Sequence, residues 1–154
     1  MKIWLAAAAA LILAAGVAHA GEDKAILVPV DGFLKATDNG DIDKALKFWG
    51  PDQAVLDEFA PYHWTGPRAV RTWWAGFVAQ NKATGAKDAV MTRQGAPRIE
   101  QTGRHAYVVQ RASVAFKVGG KPQRLDGVLT FALDRSGADW KIASFAWAGE
   151  GGGQ

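Results

Sequence analysis

The sequence contains no cysteine, which excludes disulfides, thiolate metal sites, a cysteine nucleophile and a lipidated N-terminal cysteine. Its three histidines show no His-x-His, His-x-x-x-His or Glu-x-x-His spacing, so no metal site is expected. Neither a Gly-x-x-x-x-Gly-Lys loop nor a Gly-x-Gly-x-x-Gly fingerprint occurs, and no nucleotide cofactor is expected. The formal charge is only +3, and Arg68, Arg71, Arg93, Arg98, Arg104, Arg111, Arg124 and Arg135 are spread along the chain. Nucleic acid is therefore not an expected partner. Beyond the N-terminal segment no run approaches 18 apolar residues, the length a membrane-spanning helix needs.

What is present begins with an export address. Lys2 precedes an uncharged apolar run from Ile3 to Ala15, and Ala18-His19-Ala20 supplies small residues at the minus-three and minus-one positions of a signal-peptidase site. The reading is a cleavable signal peptide over residues 1–20 and an exported protein, periplasmic or extracellular, with no membrane attachment after cleavage. About 134 of the 154 residues remain, enough for one domain to bury a core without staples. That domain is expected over residues 21–149, followed by a disordered Gly-rich tail over 150–154.

Apolar residues Ile26, Val30, Phe33 and Leu34 recur at helical spacing up to the Asn39-Gly40 stop. Asp41 can cap a second short helix with Ile42, Ala45, Leu46 and Trp49 inward, ended by Gly50-Pro51. Ala54–Phe59 reads as a short strand, Pro61–Gly66 as a turn with a second strand. Pro67 opens a third helix that buries Val70, Trp73, Trp74 and Phe77. After Gly85 four β-rich runs follow, Asp88–Gln101, His105–Val118, Arg124–Asp134 and Trp140–Ala148, separated by Gly-containing turns. In the second run Ala106, Val108, Ala112, Val114 and Phe116 share a face opposite His105, Tyr107, Arg111, Ser113 and Lys117. Helices first and a meander last define an α+β fold in which helices cover one face of the sheet.

Four motifs in this order carry a resemblance: Asn39-Gly40-Asp41-Ile42-Asp43, Pro51-Asp52-Gln53-Ala54-Val55, Gly66-Pro67-Arg68-Ala69-Val70 and Trp140-Lys141-Ile142-Ala143-Ser144. Over roughly Ile26 to Gly149 the chain resembles the nuclear transport factor 2-like superfamily, the cone fold shared by ketosteroid isomerase, scytalone dehydratase and SnoaL-like cyclases. The resemblance implies three N-terminal helices packed in the concave face of a strongly curved antiparallel sheet, the cystatin-like cone. It also implies a pocket at the open end, used by relatives for acid–base catalysis or apolar binding, and a homodimer through the sheet face.

On residue types alone, the densest cluster of titratable and aromatic side chains is Asp57 to Trp64, beside Trp73 and Trp74. A carboxylate against aromatic walls loses hydration, and its pKa rises toward the range useful to a general acid or base. By resemblance to ketosteroid isomerase the base falls at Glu58; Asp57, one residue out of register, is expected to face the other way. His63 is the second catalytic candidate, since neutral imidazole moves protons near neutral pH. The isomerase's two oxyanion donors align with Phe33 and Leu129, which can donate nothing, and this argues against steroid-type enolisation. Asp126, an odd number of residues from Leu129, faces away and does not replace the missing acid. Tyr62, Trp64, Trp73, Phe116, Phe145 and Trp147 are the candidate walls of an apolar pocket, with Gln110 as its buried hydrogen-bonding group.

The leading expectation is an exported domain that binds a small, mostly apolar molecule. A cofactor-free lyase, isomerase or cyclase using Glu58 or His63 is the first rival. A protein-interaction module acting through the sheet face around Tyr107, Val109 and Arg111 is the second.

Overall fold

The computed structural model describes residues 5–151, with side chains described over 21–151. The leader expected over 1–20 lies outside the described side chains, and the last three residues of the expected tail lie outside the described residues. Helix α1 runs Leu5–Asp38, with Pro29 inside it. Ile26, Val30 and Phe33 are fully buried along one stripe, the face that helical spacing marks out. Glu22 ties this helix to the sheet, accepting from Arg135 at 2.9 Å and from the Trp140 indole at 3.3 Å. Among the described residues no helix is long and apolar enough to cross a membrane.

Helix α2 (Ile42–Ala45) is capped by Asp41, whose carboxylate accepts from the Lys44 N–H. A single 3-10 turn, Leu46–Phe48, follows. Strand β1 then starts earlier than the sequence suggests, at Trp49, and ends earlier, at Leu56. Gly50-Pro51 lies inside this strand instead of stopping a helix. Proline is tolerated there because pairing with the last strand, β6 (Asp139–Gly149), shifts register between Trp49 and Ala54, an irregularity that needs no donor from residue 51. Strand β2 is short (His63–Thr65), and α3 runs Ala69–Thr84. Gly85 terminates α3 at φ +71°, a left-handed cap that costs glycine little.

The meander consists of β3 (Ala86–Thr102), β4 (His105–Val118), β5 (Lys121–Ser136) and β6 (Asp139–Gly149). The six strands form one sheet in the order β2-β1-β6-β5-β4-β3. Every neighbouring pair is antiparallel except β1 and β6, which run parallel, so the sheet is mixed. The helices pack on one face of this sheet, giving the α+β architecture that the motif order implies.

Burial on β4 follows the expected alternation through Ala106, Val108, Gln110 and Ala112. The core is aromatic at its centre. Phe33 meets Trp49, Phe131, Phe145 and Trp73 at centroid distances of 5.4, 6.2, 5.6 and 6.4 Å, within the range where rings attract edge to face. Glu150, expected in the tail, is held in place: its N–H donates to Asp126 at 2.7 Å and its carboxylate pairs with Arg111 at 2.8 Å.

Candidate functional site

Between the helices and the far half of the sheet lies a cavity of about 570 Å³. Helix α1 contributes Phe33, Leu34, Thr37 and Asp38; α3 contributes Trp73, Trp74, Phe77, Gln80, Asn81 and Thr84. The sheet supplies Met91, Val114, Phe116, Leu125, Phe145 and Trp147 among others, and the loop after β1 supplies Asp57, Glu58 and Phe59. Apolar side chains make up most of the wall, the composition typical of small-molecule sites.

Local geometry explains why both carboxylates of that loop reach the cavity. Because β1 ends at Leu56, strand alternation no longer governs Asp57 and Glu58. A tight turn takes over, in which the Tyr62 N–H donates to Phe59 at 2.8 Å and the Asp57 N–H donates to Tyr62 at 3.1 Å. The Ala60–Pro61 bond within it is cis, the arrangement of a type VI turn. Phe59 is folded back against Trp64, 5.0 Å away, and against Gly76 of α3, where a Cβ would stand 3.0 Å from the ring. Glycine in mid-helix costs conformational freedom, and here it admits the ring.

Asp57 is the more deeply set of the two acids, correcting the expectation that it faces away. One carboxylate oxygen accepts from the Trp73 indole N–H at 2.7 Å, the other from the Glu58 N–H at 2.7 Å. Burial pushes its pKa above the ordinary value; the bonds from Trp73 and the Glu58 N–H act in the opposite direction, and the nearby Glu58 charge adds to the rise. Glu58, the expected base, lines the cavity but is exposed. Its Oε1 accepts from the Gly149 N–H at 2.7 Å, latching the loop to the end of β6. Asp38 stands at the rim, where partial desolvation raises its pKa and Arg93 lowers it.

Trp73, Phe116, Phe145 and Trp147, four of the candidate walls, line the cavity. The Trp147 ring has room because Gly127 lies beneath it: a Cβ on Gly127 would stand 2.6 Å from the indole. Four other candidates fall elsewhere. His63 is exposed on the edge strand β2, opposite Leu56. Tyr62 is 62% exposed at the turn, while Trp64 is buried in the core behind Phe59. Gln110 is buried but does not reach the cavity; its amide donates to the carbonyls of Gln94, Gly95 and Arg111 at 3.0, 3.4 and 2.9 Å. These carbonyls lie where β3 slips register against β4, so the amide satisfies a bulge. Arg111 is engaged with Glu150 of its own chain.

Sequence reasoning passed over Asp38, Thr37 and Leu125. Thr37 follows Phe33 and Asp38 follows Leu34 by four residues, the spacing that places them on the same helix face. Phe33 lines the cavity, Leu129 is fully buried, and Asp126 is turned toward Arg124 at 2.9 Å. Neither alignment position for an oxyanion donor carries a polar group.

Similar architectures occur among solved structures. A hexachlorocyclohexane dehydrochlorinase, LinA-type3 from Novosphingobium barchaimii LL02, matches at 14% identity over 88% of this chain and 91% of its own, with a TM-score of 0.74. An NTF2-like protein with a cystatin-like fold from Novosphingobium aromaticivorans matches at 19% identity, covering 92% of this chain and 90% of its own, with a TM-score of 0.70. A ketosteroid isomerase-like protein from Erwinia carotovora atroseptica SCRI1043 matches at 15% identity, covering 84% and 96%, with a TM-score of 0.67. At such identities the likeness is one of fold. No curated protein matches the sequence. The model of the SnoaL-like domain matches residues 26–146, the stretch that supplies all of the cavity wall except Trp147, and the chain belongs to that family.

Proposed function

We propose that the domain binds a small, mostly apolar molecule in the cone cavity, and that it does so as an exported protein after loss of residues 1–20. The observation that carries the binding reading is the wall itself. Eight aromatic side chains, Phe33, Phe59, Trp73, Trp74, Phe77, Phe116, Phe145 and Trp147, surround about 570 Å³, a volume suited to a ligand of modest size. The dehydrochlorinase of the same fold acts on hexachlorocyclohexane, itself a compact apolar molecule. The export reading rests on the Lys2, Ile3–Ala15 and Ala18-His19-Ala20 pattern, and removal of residues 1–20 retains the Glu22 anchor of α1. Native mass spectrometry of protein purified from its export compartment tests both parts. A co-purifying small molecule on a chain starting at Gly21 supports them; a chain starting at Met1 sinks the export reading.

A second reading, cofactor-free proton transfer, is favoured by one observation: Asp57 is a desolvated carboxylate fixed by the Trp73 indole at the cavity wall. Its raised pKa moves it toward the range where a carboxylate exchanges protons with a bound carbon acid. Asp57 takes the role expected of Glu58 and His63. Loss of turnover in Asp57→Asn, with Glu58→Gln retaining it, is the result this reading requires on a substrate once one is identified. The homodimer through the sheet face rests on the exposure of Tyr107, 40%, and light scattering of the purified chain tests it.

A further inference from the structure

The chain carries 18 lysines and arginines against 15 acids, yet the cavity wall has the opposite sign. Among the described residues Asp38, Asp57 and Glu58 line it, and no lysine, arginine or histidine does. Among the described residues none of these three carboxylates forms an ion pair; Arg93, the cation nearest in effect to Asp38, is engaged by Asp31. The two oxygens of Asp57 each accept from one neutral N–H, so its negative charge is unmatched.

Filling such a cavity has a consequence that depends on the ligand's charge. An apolar neutral molecule displaces the water that still solvates Asp57, and the carboxylate must then lose more hydration or take up a proton. An anion meets three like charges. A cation supplies the missing countercharge, and the faces of the surrounding indole and phenyl rings attract it as well. Building on the binding reading above, we propose that the cavity selects an organic cation, a substituted ammonium with an apolar body, whose charged end sits at Asp57 and whose body lies against Trp73, Phe116, Phe145 and Trp147.

Three probes of near-equal shape and different charge test this: phenyltrimethylammonium, its neutral carbon isostere tert-butylbenzene, and benzenesulfonate. Each is titrated into the folded protein and followed by tryptophan fluorescence and calorimetry. The cation is expected to bind about tenfold tighter than the isostere, and the sulfonate not to saturate. In Asp57→Asn the ratio of the first two affinities falls toward one, with near-UV circular dichroism confirming the native core. Should that variant not fold, the ratio in the native protein decides alone. Equal or tighter binding of tert-butylbenzene overturns the cation proposal and leaves the apolar-binding reading standing. If neither cation nor isostere binds the folded chain, both fall.

Discussion

Burial raises the affinity of the Asp57 carboxyl for its proton, and the direction of that shift fixes how stability responds to pH. In the unfolded chain this group titrates near 3.8; in the folded chain it titrates higher. Between those two values the native state holds a proton that the unfolded state has released, so the stabilising contribution is complete below 3.8 and is lost as pH rises through the folded value. The groups around it include Trp73 from α3 and Glu58 from its own loop, with Asp38 on α1 lining the same cavity. Thermal melts across this window should show a fall that Asp57→Asn lacks. An unchanged profile would show that Asp57 is not desolvated. Gln110 gives a contrasting case. Replacing it with Leu removes the donor to the Gln94 and Gly95 carbonyls at the β3 bulge and should cost about 1–3 kcal/mol in chemical denaturation, with no change in ligand affinity, because the amide lies outside the cavity.

At the scale of elements, the strand after α2 shows where the sequence was legible and where it was not. The Asn39-Gly40-Asp41 joint, the Pro67 entry to α3, the Gly85 exit and all four long strands follow local signals, because glycine, proline and alternation act through the backbone itself. Trp49 and Gly50-Pro51 misled for the same reason: local preference favours a helix stop, whereas pairing with β6 pulls this stretch into an irregular strand. Once β1 ends at Leu56, the Asp57 side chain is directed by a turn, and no period-two argument could place it. Gln110 looked like a pocket group because burial of an amide is visible in an apolar pattern, but two of its partners, the Gln94 and Gly95 carbonyls, lie on β3 and depend on a register shift between strands. The β5–β6 pairing offers a test of how tightly the wall is built. A Cβ on Gly127 would stand 2.5 Å from the backbone oxygen of Ala148 as well as against the Trp147 ring. Gly127→Ala should therefore destabilise by about 1–3 kcal/mol, and the added change Trp147→Leu should restore only part, since the backbone clash remains.

Taken as a whole molecule, the cone divides into a dense half and a hollow half. Phe33, Phe131, Phe145 and Trp73 fill the first and form the floor where the second begins. Phe33→Ala should cost about 3–5 kcal/mol, read from denaturant midpoints, because the ring touches both helices and sheet. The hollow half is what the sequence located through its aromatic richness, though it could not say which rings were core and which were wall: that depends on how far α3 stands off β3 and β4. The reading proposed above makes this hollow a binding site. Its most direct test is a calorimetric titration of naphthalene into the native chain and into Val114→Trp, which places an indole in the cavity. Saturable one-to-one binding that the substitution abolishes is the predicted result; no saturable binding to the native chain, or equal binding to both, would contradict it.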